Sequence, residues 1–139
     1  MLDYNGTLAI DGQLIAGVKT RLARIAKLVR VHIVTADTFG RARVALRGVE
    51  CTLTILRAGR EVRTKAAYVR HIGARRVACI GNGRNDRLML RAAALGIATV
   101  QAEGAAAGSV AASAIVVTDI RHALDLLLKP RRLVATLRG

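Results

Sequence analysis

Short runs of strand-forming residues alternate with stretches of helical periodicity along the whole chain. Few architectures accept that alternation, and the simplest is a parallel sheet whose strands are joined by crossover helices. Ile15, Val18, Leu22, Ile25 and Val29 recur on one helical face over residues 14–30, with Arg and Lys opposite. Residues 31–34 read as a strand ending at Thr35, and the next helix runs to Leu46 with Asp37 or Thr38 as its N-cap. A strand over 51–56, a helix over 61–72 and a buried strand over 77–80 follow, then a helix carrying Leu88, Met89, Ala92 and Leu95. Two more strands, 96–100 and 114–117, flank a short helix within 105–112, and a helical tail over 120–137 breaks at Pro130. Residues 7–15 read as a hairpin turning at Asp11-Gly12, a preferred two-residue turn.

At 139 residues the chain fits one domain, 1–139, with a single sizeable core. Hydrophobic residues make up 53%, yet no apolar run approaches the ~18 residues that a bilayer span requires. The start lacks the basic and apolar segments of a secretory signal, so a cytoplasmic location is expected. Cys51 and Cys79 are scattered thiols in expected strands, which suits a reducing compartment rather than a disulfide scaffold. Neither has a second Cys or His at ligand spacing. The net charge of +14 attracts polyanions at low salt, but the arginines are spread through every helix. Tyr4, Phe39 and Tyr68 are the full set of aromatics, too few for a stacking platform. Neither a specific nucleic-acid partner nor a membrane partner is expected.

The residues with chemical potential fall just after strands, where open α/β sheets place their ligands. Asp3 comes first, followed by Asn5, Gly6 and Thr7. Gly6 permits a turn with exposed amides and Thr7 anchors it, which presents Asp3 as a nucleophile in a phosphate-binding loop. Thr35 and Ala36 close the next strand, offering a hydroxyl and a backbone amide to a phosphoryl group. Asp37 serves either as part of this group or as a helix cap. Lys65 opens a helix; its ammonium would neutralise both Asp3 and an incoming phosphate. Two unit charges 4 Å apart interact by about 4 kcal/mol at an effective dielectric near 20. Residues 81–86, Gly-Asn-Gly-Arg-Asn-Asp, form a polar loop able to hold magnesium together with Asp3 and the carbonyl of Asn5. A dinucleotide loop is excluded because Asp86 stands where its third glycine belongs. An EF-hand over 3–6 is excluded because the later ligands are missing.

Asp3 to Thr7, Thr35-Ala36-Asp37, Lys65 and the 81–86 loop together resemble the ordered motifs of the haloacid dehalogenase superfamily. The closest likeness is to soluble proteins similar to the phosphorylation domain of P-type ATPases. That domain carries D-K-T-G-T, T-G-D, a lysine and G-D-G-x-N-D in this order. The resemblance implies a Rossmann-like three-layer α/β sandwich with a mainly parallel central sheet and no cap domain. It also implies a phosphatase or phosphotransferase that uses magnesium and an aspartyl-phosphate intermediate. Asp3, Thr35 and Lys65 would be catalytic. Gly6, Thr7, Thr35, Ala36 and Lys65 would bind phosphate, and Asp3, Asn5, Asn82 and Asp86 would serve the metal.

Three departures qualify these implications. Asn5 replaces the general acid/base aspartate, an assistance typically worth roughly 10²–10⁴-fold, so a slow phosphatase is expected. Asn82 replaces the first aspartate of the metal loop. Only Met1 and Leu2 precede Asp3, against ~5–6 residues in a usual strand, which predicts a coding start further upstream. With no room for a cap, the site is expected to stand open. It would then suit a phosphorylated small molecule or phosphoprotein, or closure by a second copy of the chain. The competing readings are a degenerate phosphate- or protein-binding member and a basic nucleic-acid-binding module.

Overall fold

The computed structural model describes residues 1–37, 40–57, 59 and 61–139. Its elements are a hairpin of β1 (Ala9–Ile10) and β2 (Gln13–Leu14), then α1 (Val18–Ala26), β3 (His32–Thr35) and α2 (Ala42–Ala45). These are followed by β4 (Thr52–Ile55), α3 (Glu61–Ile72), β5 (Ala78–Gly81) and α4 (Arg87–Ala92). Last come β6 (Leu95–Thr99), α5 (Ala107–Ala111), β7 (Ile115–Val117), α6 (Ile120–Leu128) and α7 (Pro130–Leu137).

Two parallel pairings build the sheet, β4 on β3 and β5-β6-β7. Leu2 joins them, bridging in parallel to Ile33 on one side and Ile80 on the other. The strand order is therefore β4, β3, the Met1–Leu2 segment, β5, β6, β7. Successive side chains of a strand point to opposite faces, and the core divides accordingly. Leu2, Ile33, Ile80 and Ile97 enter a cluster with Val18, Leu22 and Ile25 of α1 and Ile120 and Leu124 of α6. Met1, Val34 and Cys79 enter a second cluster with Val69 of α3 and Met89 and Leu90 of α4. The fold is thus a three-layer α/β sandwich, with no inserted cap among the described residues.

Most expected elements are present, including the 61–72 helix and the break at Pro130. The hairpin turns where expected, with Asp11 and Gly12 both at positive φ (49° and 74°), as a two-residue turn between twisted strands requires. Three elements need correction. The first helix spans Val18–Ala26 rather than residues 14–30: Gly17 takes a left-handed conformation (φ 82°) immediately before it, and Val29, expected on its apolar face, lies beyond its end and is exposed. The second spans only Ala42–Ala45, with the Arg41 and Ala42 amides donating to Asp37 Oδ1 at 3.0 and 3.1 Å. Thr38, the alternative cap, lies outside the described residues. Leu95 belongs to β6, not to the preceding helix, because Ala93 already turns extended (ψ 156°).

Candidate active site

The strand order brings three carboxyl ends together. Asp3 follows Leu2, Thr35 ends β3 and Gly81 ends β5. The Asp3 amide donates to the Ile80 carbonyl (3.0 Å) and the Val34 amide to the Leu2 carbonyl (2.9 Å), locking the register of the Asp3 segment against both neighbours.

Lys65 is the centre of the site. It has no exposure at all, and its Nζ donates to Asp3 Oδ1 (2.5 Å) and to Asp86 Oδ1 (2.7 Å). Burial works against the ammonium, but the charges and hydrogen bonds of Asp3 and Asp86 outweigh it and raise the Lys65 pKa. Burial, aided by the charge of Asp86, pushes the Asp3 carboxyl up to about 7 despite the pull of Lys65. The second oxygen of Asp86 accepts from the amides of Asn82 (3.0 Å) and Gly83 (2.9 Å). Both oxygens of Asp86 are thereby engaged in holding Lys65 and shaping the loop after β5.

The turn after Asp3 is tight. The Tyr4 carbonyl accepts from the amides of Thr7, Leu8 and Ala9, and the Gly6 amide donates to Ala9 (2.8 Å). Gly6 sits at φ +73°, and a Cβ there would lie 2.3 Å from Asn82 Nδ2, so backbone conformation and close approach both demand glycine. The buried Thr7 hydroxyl faces two acceptors, Asp3 Oδ2 at 3.3 Å and Asn82 Oδ1 at 3.0 Å. It has one proton for both. Asn5 Oδ1 is buried and has no partner. Thr35, almost fully buried, accepts the Asp37 amide on Oγ1 (3.0 Å), a bond that does not use its hydroxyl proton. Ala36 follows it at the end of the strand, half-buried.

This oxygen-rich, under-protonated group around Asp3 fits a hard divalent cation. Among the described residues no three His, Cys, Asp or Glu side chains gather, because asparagine occupies positions 5 and 82. Two cavities lie against Arg30 and Val31 at the amino ends of the strands, away from Asp3: one of about 410 Å³ beside β3 and β4, the other of about 750 Å³ beside β3 and β5.

Several residues that position the site carry no motif in the sequence. Gln101 Nε2 donates to the carbonyls of Gly6 (3.1 Å) and Thr7 (2.9 Å). Ser109 Oγ donates to Gly83 (2.6 Å), and the Tyr4 hydroxyl donates to Gly12 of the hairpin (3.3 Å). Asn82 Nδ2 donates to the Gly104 carbonyl (3.0 Å). Except for the Tyr4–Gly12 bond, which closes a local turn, these are long-range contacts that only the folded chain displays.

No family model matches the chain. It is 50% identical over 64 residues to the uncharacterized protein MJ0073 of Methanocaldococcus jannaschii, a match covering 46% of this chain and 69% of that protein. It is 45% identical over 38 residues to the uncharacterized protein MJ0072 of the same organism, covering 27% and 86%. Among solved structures, the 3-deoxy-D-manno-octulosonate 8-phosphate phosphatase of Moraxella catarrhalis, in complex with magnesium, phosphate and KDO, superposes with a TM-score of 0.63. Its identity is 20%, over 99% of this chain and 91% of that one. A putative haloacid dehalogenase superfamily hydrolase from Legionella pneumophila gives a TM-score of 0.71 at 14% identity, over 98% and 84%. A zinc-transporting PIB-type ATPase gives 0.59 at 26% identity, over 89% of this chain and 20% of the pump. The chain belongs to the same family as MJ0073, and its fold is that of the haloacid dehalogenase superfamily.

Proposed function

We propose that this chain is a magnesium-dependent phosphatase that works through an aspartyl-phosphate on Asp3. The observation that carries the reading is the fully buried Lys65 bridging Asp3 and Asp86 at the carboxyl ends of the sheet. A lysine without exposure is costly unless paired, and here its pairing holds a carboxylate where the sheet opens.

The Asp3 carboxylate attacks phosphorus, the bond to the leaving-group oxygen breaks, and water later cleaves the acyl phosphate to release inorganic phosphate. Lys65 offsets the repulsion between the nucleophile and the anionic substrate. Thr35 donates its hydroxyl proton to a phosphoryl oxygen, with the Ala36 amide beside it, and the Gly6-Thr7 turn shapes the same cradle. Asp3, the carbonyl of Asn5 and Asn82 Oδ1 would hold magnesium, which when bound draws charge from the phosphoryl oxygens. Asp86 acts by positioning Lys65, since both its oxygens are occupied. The Asn5 carboxamide neither gains nor loses a proton near neutral pH, so leaving-group protonation and water attack go without general acid/base help and turnover is slow. The open site receives a phosphorylated small molecule or a phosphoprotein in the cytoplasm.

The amides at 5 and 82 favour a second reading, a phosphate- or protein-binding relative that has lost turnover. Release of phosphate from an aryl phosphate, with and without magnesium, separates the two. Magnesium-dependent turnover and a beryllium fluoride adduct are expected in wild type and absent in Asp3→Asn. Equal turnover in both proteins would overturn the aspartyl-phosphate mechanism.

A further inference from the structure

We infer that Gln101 is a positioning residue for the nucleophile turn, a proposal that rests on the phosphatase reading above. Gln101 follows β6 and sits half-buried. Its single amide makes three bonds to two distant elements. Nε2 donates to the carbonyls of Gly6 (3.1 Å) and Thr7 (2.9 Å), and Oε1 accepts the amide of Ile120, the first residue of α6 (2.8 Å). The partners fix the amide's orientation, because a flipped side chain would set its oxygen against two carbonyls and its NH₂ against an N–H.

The reach to Asp3 is short. Thr7 is held by Gln101 through its backbone carbonyl, and its hydroxyl lies between Asp3 Oδ2 and Asn82 Oδ1. The peptide that carries the Gly6 carbonyl also carries the Thr7 amide, and that amide bonds Tyr4. Fixing the two carbonyls therefore fixes the turn, the Thr7 hydroxyl and the rotation of the Asp3 carboxylate. The same segment grips the neighbouring loops. Gly104 accepts from Asn82 Nδ2, the Ala106 amide donates to Asn82, and Glu103 accepts the Asp11 amide of the hairpin at 2.9 Å. Gln101 thus links the nucleophile turn to the first residue of α6. A misplacement of the order of 1 Å at a reacting group can cost ~10²-fold in rate.

Two variants separate positioning from mere support of α6. Gln101→Met removes all three bonds at nearly constant volume. Gln101→Glu keeps the acceptor for Ile120 but has no proton for Gly6 or Thr7. Both are expected to lower kcat for an aryl phosphate by ~10–100-fold while KM moves less than about 3-fold, and amide exchange at Thr7 and Leu8 should quicken in both. Wild-type kcat in Gln101→Glu would overturn the proposal, since capping α6 would then suffice, and it stays decisive if Gln101→Met does not fold. Wild type serves as the control for the phosphatase reading: absence of turnover there defeats that reading alone. The exchange measurement still decides on Gln101, with wild-type protection of Thr7 and Leu8 in both variants counting against it.

Discussion

Lys65 and Asp86 form an ion pair at 2.7 Å in which neither side chain has any exposure. With Asp3 on the other side of the ammonium, removing the cation leaves two buried carboxylates facing each other. Breaking such a pair costs about 3–5 kcal/mol. Lys65→Met should lose stability on that scale in urea denaturation and form no phosphoenzyme. A loss under ~1 kcal/mol, the range of an exposed pair, would show that the pairing is not what holds this region.

The raised Asp3 pKa makes a prediction about pH. A carboxyl whose folded value stands above its unfolded 3.8 binds its proton more tightly in the native state. Its contribution is therefore most favourable below about 3.8 and is lost as pH rises towards about 7. Asp3→Asn, which cannot ionise, should melt close to wild type near pH 4 and progressively above it up to pH 7. Added magnesium should narrow the gap by favouring the ionised carboxylate. Melting curves that stay parallel across this range would show that Asp3 is not raised.

Asn5→Asp should quicken the enzyme. The new carboxyl is nearly isosteric and stands two residues from the nucleophile, where it can protonate a leaving group and then activate water. The gain should be ~10-fold or more, below the full acid/base effect, because the buried surroundings were not built for a second charge near Asp3. Single-turnover decay of labelled phosphoenzyme measures it directly. Unchanged decay would mean that position 5 does not reach the reacting oxygens.

Gly6→Ala tests the geometry of the turn. The added Cβ would meet Asn82 Nδ2 at 2.3 Å from a backbone already at φ +73°. Strain of this kind costs of order 1–3 kcal/mol. The substitution should lower the melting temperature and weaken phosphate binding together, read by calorimetry and by beryllium fluoride titration. A variant that binds normally would place the cradle elsewhere.

The sheet architecture was legible because its signals are local. The short apolar runs at β3 and β5, the Asp11-Gly12 turn and the break at Pro130 each lie within a few residues. Asp3, Thr35 and the 81–86 loop could be expected to converge because the topology of a parallel sheet leaves strand ends little choice of where to meet, and Lys65 reaches Asp3 and Asp86 from α3. Helix ends were read less well. Gly17 sets the start of α1 and Ala93 the end of α4 by backbone conformation, which hydrophobic periodicity does not register. Gln101, Ser109 and the Tyr4 hydroxyl act across 26 residues or more, or around a turn, on backbone carbonyls. An acceptor common to every residue leaves no trace in side-chain spacing.

Asn82 has a consequence that its likeness to a metal-loop aspartate conceals. Its amide gives a proton to Gly104 and offers an oxygen to Thr7, whereas a carboxylate could only accept. The loops after β5 and β6 are therefore welded through a neutral group that neither titrates nor responds to ionic strength. What the site gives up in negative charge it gains in permanence, because this one link between the two loops keeps the same donor and acceptor at every pH.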